Sequence, residues 1–263
     1  MPTYDPDIPG IIRRSLAQKS GKPFIVFDGH TLTYGELGRK VGRYTSYFNR
    51  AGIKAGDRIV FSSKDKAFVC CFYLSLLANG ITSVFIDPNS GLERAKAIIA
   101  HCQPHSVFVD EELMEKWHLA SSPARKRIPI VQENRNPVMA ALSSPRRHRS
   151  ESFPADMETM NAAEAARQID ALSDAYILFT SGTTSAPKGV RISYRALFSH
   201  LSTLSMVYQL DSHCKILNTL MLSHADGMVQ GPLLTLFSHS TLYRPFPFAI
   251  QRIEDTFDVI YRE

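Results

Sequence analysis

The sequence predicts an α/β protein with two similar lobes, each a mostly parallel sheet flanked by helices. Apolar runs short enough for buried strands alternate with segments of helical period. The connections between them are short, which favours parallel strands joined by crossover helices. The alternation fades after Glu111 and resumes at Ala175, so we place one lobe in residues 1–173 and a second, incomplete lobe in residues 174–263.

Composition restricts the class of protein. The 263 residues are 44% apolar and 21% charged, which is typical of a globular protein with a sizeable core. The formal net charge is +5, and part of it lies in a Pro- and Ser-rich stretch that includes Arg146, Arg147 and Arg149. No aromatic residue interleaves with these charges, so a solvated linker is favoured over a nucleic-acid site, and no nucleic-acid partner is expected. We expect residues 134–156 to form a flexible loop.

Membrane and metal signals are both missing from the sequence. The first residues lack a basic region followed by an apolar one, and the longest apolar run, Ala67–Ala78, is too short to span a bilayer. We therefore expect a cytoplasmic protein with no membrane span. The four cysteines show no metal-ligand spacing, so no metal site is predicted. Adjacent Cys70 and Cys71 are expected to be buried, reduced thiols.

Turn and cap residues delimit the elements of the first lobe. Asp28-Gly29 is a hairpin signal, Thr33-x-x-Glu36 has the pattern of a capping box, and Gly52 is placed to end the following helix. Ser90-x-x-Glu93 predicts a second capping box. The predicted elements are helix Ile11–Leu16, strands Phe24–Phe27 and Thr31–Thr33, a helix with Leu37, Val41, Tyr44 and Phe48 on one face, strand Asp57–Ser62, buried helix Lys66–Asn79, strand Ile81–Ile86, a helix that buries Leu92, Ala95, Ile99 and Cys102, and strand Ser106–Val109.

The signals weaken toward the end of the first lobe and return in the second. Ile128–Val131 is a candidate strand, and Asn161–Leu172 is a candidate short helix. Ser193 is placed to cap a helix with an apolar face. The remaining predicted elements are strands Tyr176–Phe179 and Gly189–Ile192, the helix that starts at Tyr194, strand Ile216–Leu220, helix Asp226–Phe237, strand Ser240–Tyr243, helix Ala249–Thr256 and a last strand, Phe257–Tyr261.

A hydroxyl-rich loop connects strands Tyr176–Phe179 and Gly189–Ile192. Gly182 lets the backbone approach an anion, and Lys188 adds a positive charge, so the loop suits a polyanion such as a nucleotide phosphate chain. The glycine spacing fits neither a Walker loop nor the dinucleotide fingerprint, and a plain surface turn is the alternative. The candidate phosphate-binding residues are Thr180, Ser181, Gly182, Thr183, Thr184 and Lys188.

The stretch Phe179-Thr-Ser-Gly-Thr-Thr-Ser-Ala-Pro-Lys-Gly-Val190 resembles the signature loop of the adenylate-forming superfamily. That superfamily comprises acyl-CoA synthetases, adenylation domains of peptide synthetases, and luciferases. Leu32–Leu37 resembles its first motif, and Leu77–Gly80 together with Val84–Pro88 resembles its second. Ser223–Met228 resembles the segment that carries a substrate-side His in acyl-CoA synthetases. These stretches follow the family's order and cover nearly the whole chain.

The resemblance implies activation of a carboxylic acid with Mg-ATP, to give an acyl-adenylate and pyrophosphate. A thiol of coenzyme A, or the phosphopantetheine of an acyl carrier protein, would then take the acyl group. By the match, Lys188 is catalytic because its charge favours departure of pyrophosphate, and His224 lies beside the acyl substrate. A buried structural His is the alternative at position 224. For Asp226 we favour a helix N-cap over catalysis, and we interpret Asp57 and Asp87 as turn residues.

The sequence departs from the family pattern in two respects. Ser185 stands where the family usually has Gly. No aromatic-Gly-x-Thr-Glu segment, ribose-binding Asp, or C-terminal domain with its Lys is found before Glu263. We therefore expect the N-terminal part of a ligase, inactive alone, with an unpaired strand edge that favours self-association. The alternative is a naturally truncated, non-catalytic phosphate binder or partner-completed subunit.

Overall fold

The computed structural model describes residues 8–17, 21–27, 30–119, 126–130, 160–166, 168–180, 187–246 and 249–262. The predicted loop 134–156 and the Asp28-Gly29 turn lie outside these residues. The helices are α1 (Ile8–Leu16), α2 (Tyr34–Ala51), α3 (Lys66–Ala78), α4 (Leu92–Cys102), α5 (Glu111–Lys116), α6 (Tyr194–Val207), α7 (Ala225–Met228), α8 (Leu234–Ser238) and α9 (Ile253–Arg262), with a π-helical turn at Val229–Leu233 and a 3-10 turn at Ile250–Arg252. The strands are β1 (Pro23–Phe27), β2 (His30–Thr33), β3 (Arg58–Ser62), β4 (Thr82–Phe85), β5 (Ser106–Asp110), β6 (Lys126–Ile130), β7 (Asp174–Thr180), β8 (Lys188–Ser193), β9 (Lys215–Leu217) and β10 (Thr241–Arg244).

The strands form two mixed sheets, which confirms the α/β class. A four-stranded sheet has the order β2-β1-β10-β9, and a six-stranded sheet has the order β6-β5-β3-β4-β7-β8. The pairs are parallel except for β1 with β2 and β7 with β8. Each sheet takes strands from both sides of residue 173, because β7 pairs with β4 while β1 pairs with β10. The predicted lobe boundary therefore does not separate the two sheets.

The six-stranded sheet is covered by helices on both faces, as predicted. Ile59 and Phe61 of β3 belong to the main apolar cluster, together with residues of α2, α3 and α6. Val60, which points to the opposite face, belongs to a second cluster with residues of α4 and α5. Helix α3 is buried continuously from Val69 to Ala78, in agreement with its apolar composition.

Local cap signals are confirmed where their partners lie close in sequence. The Thr33 side chain accepts the Glu36 backbone N–H, and the Glu36 carboxylate accepts the Thr33 backbone N–H. Gly52 ends α2 in the left-handed conformation, with φ of 74°. The Ser193 hydroxyl accepts the backbone N–H of Ala196 at the start of α6. Such caps satisfy the unpaired backbone groups at helix ends.

The adjacent thiols of α3 are buried and free, as predicted. Burial raises the pKa of Cys71 to about 12, and it raises the pKa of Cys70 by a larger amount. Both thiols therefore stay protonated at neutral pH and behave as small apolar side chains.

Two predictions within the first lobe are wrong. Helix α4 is capped by Gly91 and not by Ser90, whose carbonyl accepts a hydrogen bond from Trp117 Nε1 at 3.0 Å. The described part of Asn161–Leu172 is not helical. Its backbone binds α2 instead, because the Ala163 N–H donates to the Gly42 carbonyl at 3.0 Å. Only a glycine at position 42 permits this approach, since a Cβ there would lie 2.6 Å from the Ala162 Cβ.

The predicted helix Asp226–Phe237 is broken into α7, the π-helical turn and α8. Gly231 has non-helical angles (φ −99°, ψ −109°), and Pro232 follows it without a backbone N–H. The predicted strand Ile216–Leu220 is also shorter than expected. It ends at Leu217, because the Asn218 side chain accepts the Leu220 N–H at 3.0 Å and turns the chain.

The last predicted strand, Phe257–Tyr261, is wrong, since these residues lie in α9. Apolar side chains recur at helical spacing, and Phe257, Ile260 and Tyr261 are 54%, 56% and 86% exposed. The unpaired strand edge expected at this place is therefore replaced by a helix with an exposed apolar face.

Candidate functional site

The hydroxyl-rich loop joins the two antiparallel strands β7 and β8. Thr180, the last residue of β7, is paired with Lys188, the first residue of β8. The structure thus brings two candidate phosphate-binding residues directly opposite each other at the two ends of the loop. The other four candidates lie outside the described residues: Ser181, Gly182, Thr183 and Thr184.

The two loop ends lie at the carboxyl edge of the parallel strands. Because β7 runs parallel to β4, Thr180 and the residues that follow Phe85 reach the same edge of the six-stranded sheet. Ligands of open α/β sheets bind at this edge. Lys188 is exposed there, and no hydrogen bond or ion pair joins its ammonium to any described side chain or carbonyl. Its charge is therefore available to an anion.

Phe179 anchors the base of the loop. Arg94 of α4 donates from Nη2 to the Phe179 carbonyl at 3.1 Å. The Phe179 ring meets the His101 ring edge-on at 5.6 Å between centroids. On the β8 side, a Cβ at Gly189 would lie 3.0 Å from the same ring and 2.9 Å from Ile177, so glycine is needed for this packing.

His224 lies at the start of α7, on the wall of a small open cavity. The cavity is also lined by Tyr176, Ile177 and Leu178 of β7, the strand that leads into the loop. The His224 side chain is exposed, so the alternative of a buried structural His is wrong. Its backbone N–H donates to the Met221 carbonyl at 3.0 Å. The structure therefore places His224 beside β7, and its role in substrate binding stays a prediction.

A hydrogen-bond network holds the segment that carries His224. The Ser223 hydroxyl donates to the Asp87 carboxylate at 2.5 Å and ties the segment to the end of β4. The Asn218 amide donates to the Asp226 carbonyl at 3.0 Å. Arg244 of β10 donates to the Asn218 side-chain oxygen at 3.1 Å. The segment is thus tied to both sheets.

Arg244 is the buried centre of this network, and sequence reasoning missed it. The residue is 5% exposed, and its second guanidinium nitrogen donates to the Leu220 carbonyl. Desolvation lowers the pKa of Arg244, an effect that the nearby Cys70 opposes. The signal that could have identified Arg244 is a charged residue directly after the predicted strand Ser240–Tyr243. Ser223 and Asn218 carried no comparable signal.

Three acidic residues, Asp57, Asp87 and Asp226, stabilise turns or helices through their carboxylates. Asp57 accepts the Lys54 N–H at 2.7 Å, and Asp87 accepts the Asn89 N–H at 2.8 Å, so both are turn residues as predicted. Asp226 is not the N-cap of α7, because that position belongs to His224. Its carboxylate accepts the Gln230 side-chain amide at 3.0 Å instead.

Tyr73 and Tyr176 both line the cavity, and burial raises the pKa of each. Burial raises the pKa of Tyr176, and the negative charge of Asp226 raises it further. Tyr176 therefore remains a neutral hydroxyl at physiological pH, able to donate and accept hydrogen bonds. Within the described ranges, no group of three or more His, Cys, Asp or Glu side chains could hold a metal ion, and no helix is long and apolar enough to cross a membrane.

The sequence was compared with families and with curated proteins. The model of the family described as AMP-binding enzyme matches residues 12–262. The chain is 25% identical over 235 residues to the sulfoacetate–CoA ligase of Cupriavidus necator, and 24% identical over 240 residues to surfactin synthase subunit 1 of Bacillus subtilis. These alignments cover 89% and 91% of this chain, but only 44% and 6% of the relatives. The chain thus spans less than half the length of either protein.

Solved structures with the same fold include adenylate-forming enzymes. The N-terminal domain of FACL13 from Mycobacterium tuberculosis has a TM-score of 0.77 at 16% identity, over 95% of this chain and 59% of that chain. VinN has a TM-score of 0.74 at 17% identity, over 92% of this chain and 60% of that chain. VinN has also been solved in complex with L-aspartate. At these identities the likeness shows the fold alone.

Proposed function

The chain belongs to the AMP-binding enzyme family, and from this membership we propose that it takes part in ATP-dependent activation of a carboxylic acid. In this reaction ATP supplies the adenylyl group, and the products are an acyl-adenylate and pyrophosphate. The observation that carries the proposal is the pairing of Thr180 with Lys188 at the carboxyl edge of the six-stranded sheet. The pairing joins Thr180 to the exposed Lys188, which has no partner among the described residues, and β7 leads to this pair from the cavity that His224 lines.

The proposed role of the loop is to bind the phosphates that leave. Lys188 would lie against the negative charge that develops on pyrophosphate, which stabilises the transition state more than the ground state. Thr180, with the Ser181, Gly182, Thr183 and Thr184 of the sequence prediction, would supply hydroxyl and backbone donors. We expect Mg²⁺ to arrive on the phosphates of ATP, since it is usually bound through substrate phosphates and few carboxylates.

The proposed role of the His224 cavity is to hold the acid. Its wall includes the rings of Tyr73, Phe85 and Tyr176, which suit an acyl group with apolar surface. We favour coenzyme A over an acyl carrier protein as the acceptor, because His224 and Gly227 follow the acyl-CoA synthetase pattern. We also propose a cytoplasmic location, since the reaction needs a supply of ATP.

Isothermal titration tests the phosphate site directly. The 263-residue chain, its Lys188→Ala variant and a Lys96→Ala control would be titrated with Mg-pyrophosphate and with MgATP. Lys96 is an exposed cation of α4, so the control loses the same charge at a position outside the candidate phosphate-binding residues. We expect Lys188→Ala to weaken pyrophosphate binding by about tenfold or more, the effect of losing one charge-assisted contact, and the control to bind normally.

The outcomes separate the candidate functions. Equal binding by all three proteins would remove Lys188 from the site. Binding of pyrophosphate together with pyrophosphate exchange in the presence of a carboxylic acid would support the ligase. Binding with no exchange against aliphatic, aromatic and amino acids would favour the non-catalytic phosphate binder or partner-completed subunit.

A further inference from the structure

Arg94 connects helix α4 to the entrance of the loop. It is the third residue of α4, and its Nη2 donates to the carbonyl of Phe179 at 3.1 Å. Phe179 is followed by Thr180, which ends β7, and then by the loop itself. A charged donor therefore holds the backbone at the residue directly before the candidate phosphate-binding segment. Hydrogen bonds with an ionised partner are stronger than neutral ones.

The carbonyl of Phe179 lies where the described pairing of β7 with β4 has ended. The two strands pair at Ser83 and Tyr176, three residues before Phe179. On the other side of β7, pairing with β8 continues to Thr180 and Lys188. Arg94 thus supplies a donor from α4 at a point where β4 no longer accompanies β7. At Phe179, Arg94 thus adds a backbone contact to the pairing of β7 with β8.

A second contact from the same helix holds the side chain of Phe179. His101 lies seven residues after Arg94, two turns along α4, so both side chains project from one face of the helix. Its ring meets the Phe179 ring at an interplanar angle of 87°. Helix α4 therefore fixes both the carbonyl and the ring of Phe179, which leaves the strand end little freedom to move.

Arg94 has no acidic partner among the described residues. The side chain is partly buried, and the bond to Phe179 is its one hydrogen bond to the described part of the chain, where it forms no ion pair. A guanidinium has five N–H donors, of which this bond uses one. Arg94 thus adds positive potential at the loop entrance in addition to its contact with the backbone.

We propose that Arg94 is a positioning residue for phosphate binding, an inference that rests on the proposed function. By holding the Phe179 carbonyl, Arg94 sets the direction in which the chain enters the loop, and so aligns the Thr180 hydroxyl with Lys188 across the two strands. The ligand that depends on it is the pyrophosphate end of ATP.

Titration of the 263-residue chain with Mg-pyrophosphate tests this role. The variants are Arg94→Met, which removes the donor and the charge, and Arg94→Lys, which keeps a charged donor. Lys96→Met is the control, because it removes a charge from an exposed position of the same helix. We expect Arg94→Met to weaken pyrophosphate binding by about tenfold. Arg94→Lys should retain most of the wild-type affinity, and the control should bind as the wild type does. Melting temperatures of all variants would be measured in parallel.

Each outcome decides a different question. Arg94→Met with wild-type affinity would overturn the proposal while leaving the phosphate site intact. Equal losses of affinity in Arg94→Met and Arg94→Lys, each matched by a lower melting temperature, would reduce Arg94 to a structural residue and overturn it too. A wild-type chain that binds no pyrophosphate would refute the proposed phosphate site and, with it, the role of Arg94.

Discussion

Gly227→Ala is expected to dislodge the segment that carries His224. Gly227 is the third residue of α7 and packs against the backbone that precedes the helix. A Cβ at position 227 would lie 1.9 Å from the carbonyl oxygen of Met221 and 2.6 Å from its carbonyl carbon. Both are backbone atoms, so no side-chain rotation can relieve the overlap.

The size of the effect follows from these distances. One of the two backbone segments must move by about 1.5 Å to reach the 3.4 Å at which ordinary contacts begin. Such a shift breaks two bonds of 3.0 Å, from the His224 N–H to Met221 and from Asn218 to the Asp226 carbonyl. At about 1 kcal/mol for each bond and a similar amount for displaced packing, the free energy of unfolding falls by about 3 kcal/mol.

Urea denaturation followed by circular dichroism measures this loss. Gly21→Ala is the matched control, because Gly21 is exposed and a Cβ there would meet no atom within 4 Å. We expect the control to change the free energy of unfolding by less than about 0.5 kcal/mol. A loss below about 1 kcal/mol for Gly227→Ala would refute the close packing of α7 on Met221.

Three further results are expected. In the proposed adenylation reaction, Lys188→Ala should slow acyl-adenylate formation by about 10²-fold in a pyrophosphate-exchange assay, because one preorganised charge is lost. Tyr34→Phe should lower the free energy of unfolding by about 2 kcal/mol in urea. The buried Tyr34 hydroxyl shares its one hydrogen between two backbone carbonyls, at 3.0 and 2.9 Å, and the variant leaves both without this donor. Burial lowers the pKa of His239 in the folded protein, and the positive charge of Lys22 lowers it further. Stability should therefore fall as pH drops below the unfolded value of about 6.5, since unfolding takes up a proton there, and His239→Gln should flatten this fall in thermal melts.

Each of these results has its own control. Lys96→Ala should keep the wild-type exchange rate, and an equal decrease would mean that net charge is responsible. Tyr208→Phe should leave stability unchanged, because Tyr208 is 53% exposed, and an equal loss would contradict the role of the buried hydroxyl. The wild-type chain, melted over the same pH range, is the reference for His239→Gln. An unchanged slope in His239→Gln would assign the acid sensitivity to other groups.

Features that depend on near neighbours in the chain could be predicted from the sequence. The capping box at Thr33 and Glu36, the left-handed end at Gly52 and the cap at Ser193 each involve residues within four positions of one another. The alternation of strands and helices likewise reflects local apolar periodicity. The pairing of Thr180 with Lys188 follows from two adjacent strands and one connecting loop.

Features that depend on distant partners could not be predicted. Asn161–Leu172 has a helical composition, but α2 offers it hydrogen bonds that no local pattern reveals. Ser223 and Asp87 are 136 positions apart, so their contact required the fold. The five residues Phe257–Tyr261 are too few to distinguish a strand from a helix by periodicity, and their helical spacing is apparent only when Ile253 is included.

The four-stranded sheet has a consequence for synthesis of the protein on the ribosome. Strand β1 pairs with β10, and the Thr241 hydroxyl donates to the Pro23 carbonyl from 218 positions further along the chain. At about 5–20 residues per second, the hairpin of β1 and β2 waits about 10–40 s before its neighbour is translated. During this interval one edge of β1 is open to incorrect pairing with other nascent chains. Slower translation before residue 244 would therefore lower the yield of folded protein without changing the stability of the finished fold.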